Sequence, residues 1–239
     1  FVPFDDEIKK AGLVGDAQWR KVSESYPPRK RTATWAEEDF ARLNAFHLNF
    51  NEMKEGVAPV VFSVTAPMGS GFHVTREISG TQGPQCLKCT DRKGLAKSFY
   101  PYLRLSPRGL KKGNITFRFS VQQPKTQPAR LHLVFRGKGQ TQEPGPSISI
   151  GRDGVVNASG KQVVTLQPGQ WSHFELRFAL GDQATGDYIL QIRDSKNKTS
   201  HTLPLGRSTF DQIAWLGFTT PDDLDGVIYL DDIQLSIDE

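Results

Sequence analysis

The stretch Gly226-Val-Ile-Tyr-Leu-Asp-Asp-Ile-Gln-Leu-Ser-Ile237 decides how the rest of the chain is read. Val227 and Tyr229, then Ile233, Leu235 and Ile237 after the acidic pair, follow the two-residue period of a half-buried β-strand. Asp231 and Asp232 stand side by side in its middle. Two adjacent carboxylates repel, so the pair needs a partner: a cation, a basic side chain, or water at a sheet edge.

The same period governs everything from His47 onward. Thirteen short runs alternate apolar and polar residues, among them Asn114 to Val121, Leu131 to Arg136, Trp171 to Phe178 and Tyr188 to Arg193. Turn signals separate them, such as Arg152-Asp-Gly154 and Gln167-Pro-Gly-Gln170. No helical pattern of useful length lies between, which predicts an antiparallel sandwich and excludes a parallel α/β sheet. Residues 1–46 differ. A helix is expected from Asp5 to Val22, a break at Pro27-Pro-Arg-Lys-Arg31, and a second short helix after the capping box Thr34/Glu37. The expected division is a partly helical N-terminal extension over 1–46 and one β domain over 47–239.

The 239 residues can bury a substantial core, and no apolar run approaches membrane-spanning length. Cys86 and Cys89 are the only cysteines. Three apart on a strand, they point to opposite faces and do not bridge, and no further ligands for zinc stand nearby. The formal charge of +4 conceals an asymmetry: residues 41–140 hold 16 basic and 4 acidic side chains, residues 141–239 hold 7 and 14. Either the two halves neutralise each other in one sandwich, or a basic surface meets an acidic partner. No recognition helix, zinc finger or aromatic RNA-binding strand is present, which sets nucleic acid aside.

Several runs, taken in order, resemble a known family. They are Leu48-Asn-Phe-Asn-Glu52, Gln85-Cys-Leu-Lys-Cys-Thr-Asp91, Phe99-Tyr-Pro-Tyr-Leu103, Asn114 to Val121, Pro168 to Phe178, Trp215-Leu-Gly-Phe218 and Tyr229 to Leu235. Together they are similar to a β-jelly-roll domain of the concanavalin-A-like lectin/glucanase and carbohydrate-binding-module type, found in secreted bacterial proteins. The resemblance implies an all-β, two-sheet antiparallel jelly-roll sandwich whose first and last strands lie together. It also implies a structural calcium held by acidic residues of those strands, here Glu52, Asp231 and Asp232, although Asn49 stands where the family carries an acid.

Strand alternation then sorts the faces. Outward sets carry Arg118, Arg130, His132, Arg136, Arg177 and Arg193, which form a basic floor for carboxylates or sulfates if their strands adjoin. Tyr100, Tyr102 and Trp215 are candidate sugar-stacking rings. The catalytic motifs of acyl transfer, zinc hydrolysis and phosphate binding are absent, and Glu175 is alone on its strand where a glycosidase needs paired acids. A lyase site could be assembled from His132 or His173 with Tyr102 and Arg118. The leading expectation is a secreted, periplasmic or cell-surface module that binds a polysaccharide without catalysis, with acidic glycans favoured. The alternatives are a jelly-roll lyase or hydrolase, and a structural accessory domain of a larger surface protein.

Overall fold

The structure is a computed structural model that describes residues 45–59, 63–67, 69–105, 110–137, 144–206 and 210–238. The two helices expected before residue 47 lie outside the described residues. Fifteen strands follow in chain order: β1 (Ala45–Leu48), β2 (Ser63–Thr65), β3 (Gly71–Thr75), β4 (Cys86–Asp91), β5 (Tyr102–Leu105), β6 (Gly113–Gln122), β7 (Leu131–Arg136) and β8 (Pro144–Ile150). The remainder are β9 (Val155–Ala158), β10 (Lys161–Thr165), β11 (Ser172–Leu180), β12 (Asp187–Arg193), β13 (Lys198–Pro204), β14 (Trp215–Thr219) and β15 (Gly226–Asp238). A single short 3-10 turn at Gly181–Gln183 is the only helical element among the described residues.

All pairings between strands are antiparallel. The first sheet runs β13-β12-β11-β6-β15-β4-β3, with β1 added to β15, and the second runs β10-β9-β8-β7-β14-β5-β2. Phenylalanines close the space between them. Phe117 meets Phe135 edge-on at 5.4 Å, Phe119 meets Phe218 at 5.3 Å, and Phe135 meets Phe178 at 5.4 Å. Those residues belong to opposite sheets and are buried, so the inward sets read from the sequence do form one core. The architecture is the all-β jelly-roll sandwich expected.

Among the described residues the closing strand is the longest. One edge of β15 pairs with β6 from Tyr229 to Asp238, while its other edge serves β4 as far as Leu230 and β1 from Ile233. First and last strands therefore lie together, with His47 opposite Gln234. Between Asp231 and Gln234 the register with β6 slips, and Asp232 adopts φ +48. This β-bulge lets two consecutive carboxylates turn to the same side, both onto the Thr81 hydroxyl, where a regular strand would face one of them into the core. Gly226 starts the strand where a Cβ would stand 2.8 Å from the Ala129 backbone.

Strands β9 and β13 were not expected. Strand β9 is four residues between two turns, and β13, Lys-Thr-Ser-His-Thr-Leu-Pro, is an edge strand with one buried side chain, Leu203. The alternation of β9, with Val156 and Ala158 buried, is too short to read, and β13 has no apolar period. Cys86 and Cys89 are both buried and unbridged, as expected, and burial pushes the Cys86 thiol up to about 12.

Candidate functional site

The outer face of the first sheet carries a polar row that crosses six adjacent strands. His47 (β1), Gln234 (β15), Arg118 (β6), Glu175 (β11), Gln191 (β12) and Ser200 (β13) stand opposite one another in register. At strand spacings of about 4.8 Å this row is about 24 Å long. A second row beside it contains Ser120, His173, Arg193 and Lys198. Most of these residues line a half-open groove of about 670 Å³ together with Arg177, Asp232, Thr81 and Gln82. Four fixed cations, Arg118, Arg177, Arg193 and Lys198, face two carboxylates, Glu175 and Asp232.

The side chains of the groove hold one another in place. Glu175 accepts a hydrogen bond from Arg118 Nε on one oxygen and from Arg177 Nε on the other. Burial works to raise the Glu175 carboxyl, but these two guanidinium contacts outweigh it and hold the group below the usual carboxylate range. Arg118 reaches the Gln234 amide oxygen from its other end at 3.5 Å. His173 Nδ1 is 2.8 Å from the Ser120 hydroxyl. Burial and then the charge of Arg193 lower the His173 pKa, against a smaller opposing effect of Asp232, so its ring is neutral at pH 7. His47 Nε2 lies 3.2 Å from Asp232 Oδ1.

Of the residues expected to form a single basic floor, Arg118, Arg177 and Arg193 come together in this groove. Arg130, His132 and Arg136 do not join them. They lie on β7 or directly before it, in the second sheet, because the chain crosses the sandwich between β6 and β7. Arg130 pairs there with Asp222 at 3.6 Å. Tyr100 and Tyr102 are on that side as well, with ring centroids 5.8 Å apart. The lyase set drawn from Arg118, His173, Tyr102 and His132 is thus split between opposite faces: Arg118 and His173 on one, Tyr102 and His132 on the other. The groove also contains His47, Ser120, Gln191, Lys198 and Gln234, which the sequence reading passed over. His173, Glu175 and Arg177 alternate on one strand, a signal for a shared face. Gln234 is two residues beyond Asp232, so alternation alone could have drawn it into the same set.

Calcium needs six to eight oxygens, and the expected acidic set does not supply that shell. Asp231 and Asp232 do converge: Asp231 Oδ2 accepts from Thr81 N at 2.7 Å and from its hydroxyl at 2.9 Å, and that hydroxyl also meets Asp232. Glu52 is exposed, and among the described residues no three His, Cys, Asp or Glu side chains group as metal ligands. The carbonyls of Phe50, Asn51 and Met53, which a cation could have gathered, converge instead on the amide nitrogen of buried Gln85 at 3.2, 2.7 and 3.3 Å. A neutral side-chain amide does the joining there.

Comparison with known proteins adds to this at the level of fold. No protein-family model and no curated protein sequence matches the chain. Solved structures do. A carbohydrate esterase from a Shiga toxin-encoding bacteriophage is similar with a TM-score of 0.53 and 16% identity, over 81% of this chain and 98% of that one. An endo-β-1,4-glucuronan lyase from the fungus Trichoderma reesei gives 0.54 and 10%, over 80% and 94%. The catalytic domain of a glycoside hydrolase family 131 protein from Coprinopsis cinerea gives 0.55 and 13%, over 79% and 92%. At these identities the likeness is one of architecture: this chain shares the jelly-roll sandwich of those proteins.

Proposed function

We propose that the groove on the first sheet binds an acidic polysaccharide, with Arg118, Arg177, Arg193 and Lys198 receiving its carboxylates or sulfates. The observation that carries this reading is the cross-strand row from His47 to Ser200, set in an open groove where four cations outnumber two acids. A linear polymer fits an open groove, forked guanidinium groups match carboxylate oxygens, and the Gln191 and Gln234 amides suit sugar hydroxyls. The sandwich is shared with proteins named for carbohydrate esterase, glucuronan lyase and glycoside hydrolase activity, which agrees with a glycan as ligand. A place outside the cytoplasm, where such polymers are met, belongs to the same reading. The residues favour recognition over glycoside hydrolysis, since Glu175 is held ionised by two arginines and cannot serve as the general acid.

A second reading has one specific observation behind it. His173 is neutral, is oriented through Nδ1 by Ser120, and lies beside cations that would stabilise a uronate carboxylate as its charge develops. That is the equipment for abstracting a proton next to a uronate carboxylate. Affinity electrophoresis in gels containing a polyuronate tests the main reading. Retardation by the polymer should weaken with added salt, and the double variant Arg118→Ala/Arg177→Ala should bind about tenfold or more weakly, since each charge-assisted contact contributes about 1.5–3 kcal/mol. Retardation unchanged by both would overturn it. Appearance of an unsaturated uronate product on incubation, lost in His173→Ala, would establish the second.

A further inference from the structure

The opposite face of the sandwich has a cleft of its own, built from different chemistry. It measures about 440 Å³ and is lined by Phe99, Tyr102, Arg104, His132, Arg136 and Trp215, among others. Three adjacent strands of the second sheet form its floor: Tyr102 on β5 faces Thr219 on β14, which faces His132 on β7. Four residues back along β14, two steps on the same face, Trp215 stands opposite Arg136. Between Trp215 and Thr219 the strand carries Gly217, which adds no side chain between them and sits where a Cβ would come within 2.3 Å of the Leu103 carbonyl.

Each arginine of the cleft lies against an aromatic ring. The Arg104 guanidinium is 5.9 Å from the Tyr102 ring centre, and that of Arg136 is 6.0 Å from the Trp215 ring centre. These contacts restrain both guanidinium groups, so less freedom is lost when they receive a ligand. Arg104 Nε and Trp215 Nε1 are buried donors with no hydrogen-bond partner among the described residues. Among the described residues no acidic side chain lines the cleft. Phe99, 45% exposed, packs edge-on to Tyr100 at 5.1 Å and contributes a large apolar surface open to solvent. Two cations, two unpartnered donors and a set of rings call for a ligand with an anionic end, oxygen acceptors and an apolar face. A carboxylated pyranose ring has all three: its C–H face lies on an aromatic ring, its carboxylate meets a guanidinium fork, and its hydroxyls accept from the buried donors.

We propose that Tyr102, Arg104, Arg136 and Trp215 form a second, separate site for an acidic sugar unit, so that the domain holds glycan on both faces. The choice of a uronate as ligand rests on the reading of the groove, whereas the existence of a second site does not. The smaller volume suits one or two rings, and the groove suits a run of them.

The test is calorimetric titration of the full chain with a defined uronic-acid tetrasaccharide. The wild type should bind two equivalents. Arg104→Glu should bind one, with the groove intact, and Arg118→Ala/Arg177→Ala should also bind one, now in the cleft. Trp215→Ala serves as a second cleft variant, and melting curves identify any variant that fails to fold. A stoichiometry of one that survives Arg104→Glu and disappears with the groove substitutions overturns the second site and leaves the proposed function standing. A stoichiometry of one that survives the groove substitutions and disappears with Arg104→Glu supports the cleft and overturns the groove. Absence of binding by the folded wild type overturns both.

Discussion

Asp91 is a buried carboxyl with one oxygen, Oδ2, that has no hydrogen-bond partner among the described residues. Burial, against a smaller opposing effect of the Arg92 backbone N–H, raises its pKa from 3.8 to about 7. The folded protein therefore binds this proton more tightly than the unfolded chain does. Below about pH 4 the carboxyl is neutral in both states and costs nothing; as pH rises through 7 the folded state must bear a buried charge, and its contribution to stability falls. Asp91→Asn should raise the melting temperature at pH 8 and leave it nearly unchanged at pH 4. A melt equally shifted at both would show that charge is not the cause. Gln85 governs a different kind of site. Removing its amide leaves the half-buried Asn51 and Met53 carbonyls without this donor, while the Phe50 carbonyl keeps the Met53 N–H, and at about 1–3 kcal/mol for an unpaired buried group Gln85→Ala should lower stability by on the order of 2 kcal/mol. Because the amide already joins those carbonyls, EDTA should leave the wild-type melt where it is. A fall in melting temperature with EDTA, reversed by calcium, would restore the cation expected from the resemblance.

At the level of the element, the bulge in β15 links fold to groove. It lets Asp231 stay buried on Thr81 while Asp232 reaches the groove and His47. The left-handed backbone at Asp232 favours glycine over alanine by about 1 kcal/mol. Asp232→Ala should therefore melt lower than Asp232→Gly by that amount, although both lose the same hydrogen bonds. Equal melts would mean that the bulge straightens in the variants. The acidic pair that organises the sequence was legible as a strand with two carboxylates. The bulge was not, since nothing in Leu-Asp-Asp-Ile announces a register slip. Edge strand β13 escaped for a related reason: a strand whose outer side chains are polar on both faces has no period to detect.

Across the whole molecule, the two sheets place their outward arginines back to back. Arg118, Arg177 and Arg193 are on one face, and Arg104 and Arg136 on the other, with the phenylalanine core between. The basic excess of residues 41–140 is thus not one surface. Arg130 belongs to neither cleft and is paired with Asp222, so Arg130→Ala should leave polyuronate binding by the groove unchanged within error, as read by the same gel retardation. Loss of binding in that variant would mean that the two faces do not act separately. Among the described residues no helix is long and apolar enough to cross a membrane.

The sequence by itself determined most of the strands, their inward and outward faces where no bulge interrupts them, and the turns between most of them; in β15 the buried side changes from Ile228 and Leu230 to Ile233 and Leu235 across the bulge. Those properties depend on residues two or three apart, and the two-residue period of Phe117, Phe119 and Val121 states which side is buried wherever the strand is placed. The resemblance of its motifs to a known family implied the type of sandwich and the meeting of first and last strands. Which outward faces share a sheet was decided only by the tertiary structure. Arg118 on β6 and His132 on β7 stand on successive strands of like pattern, yet the connection from β6 to β7 passes from one sheet to the other and sends them to opposite sides. Alternation records the side of a strand and carries no record of its neighbour. His47 and Gln234, at the two ends of the β domain, share one register position because β1 closes on β15.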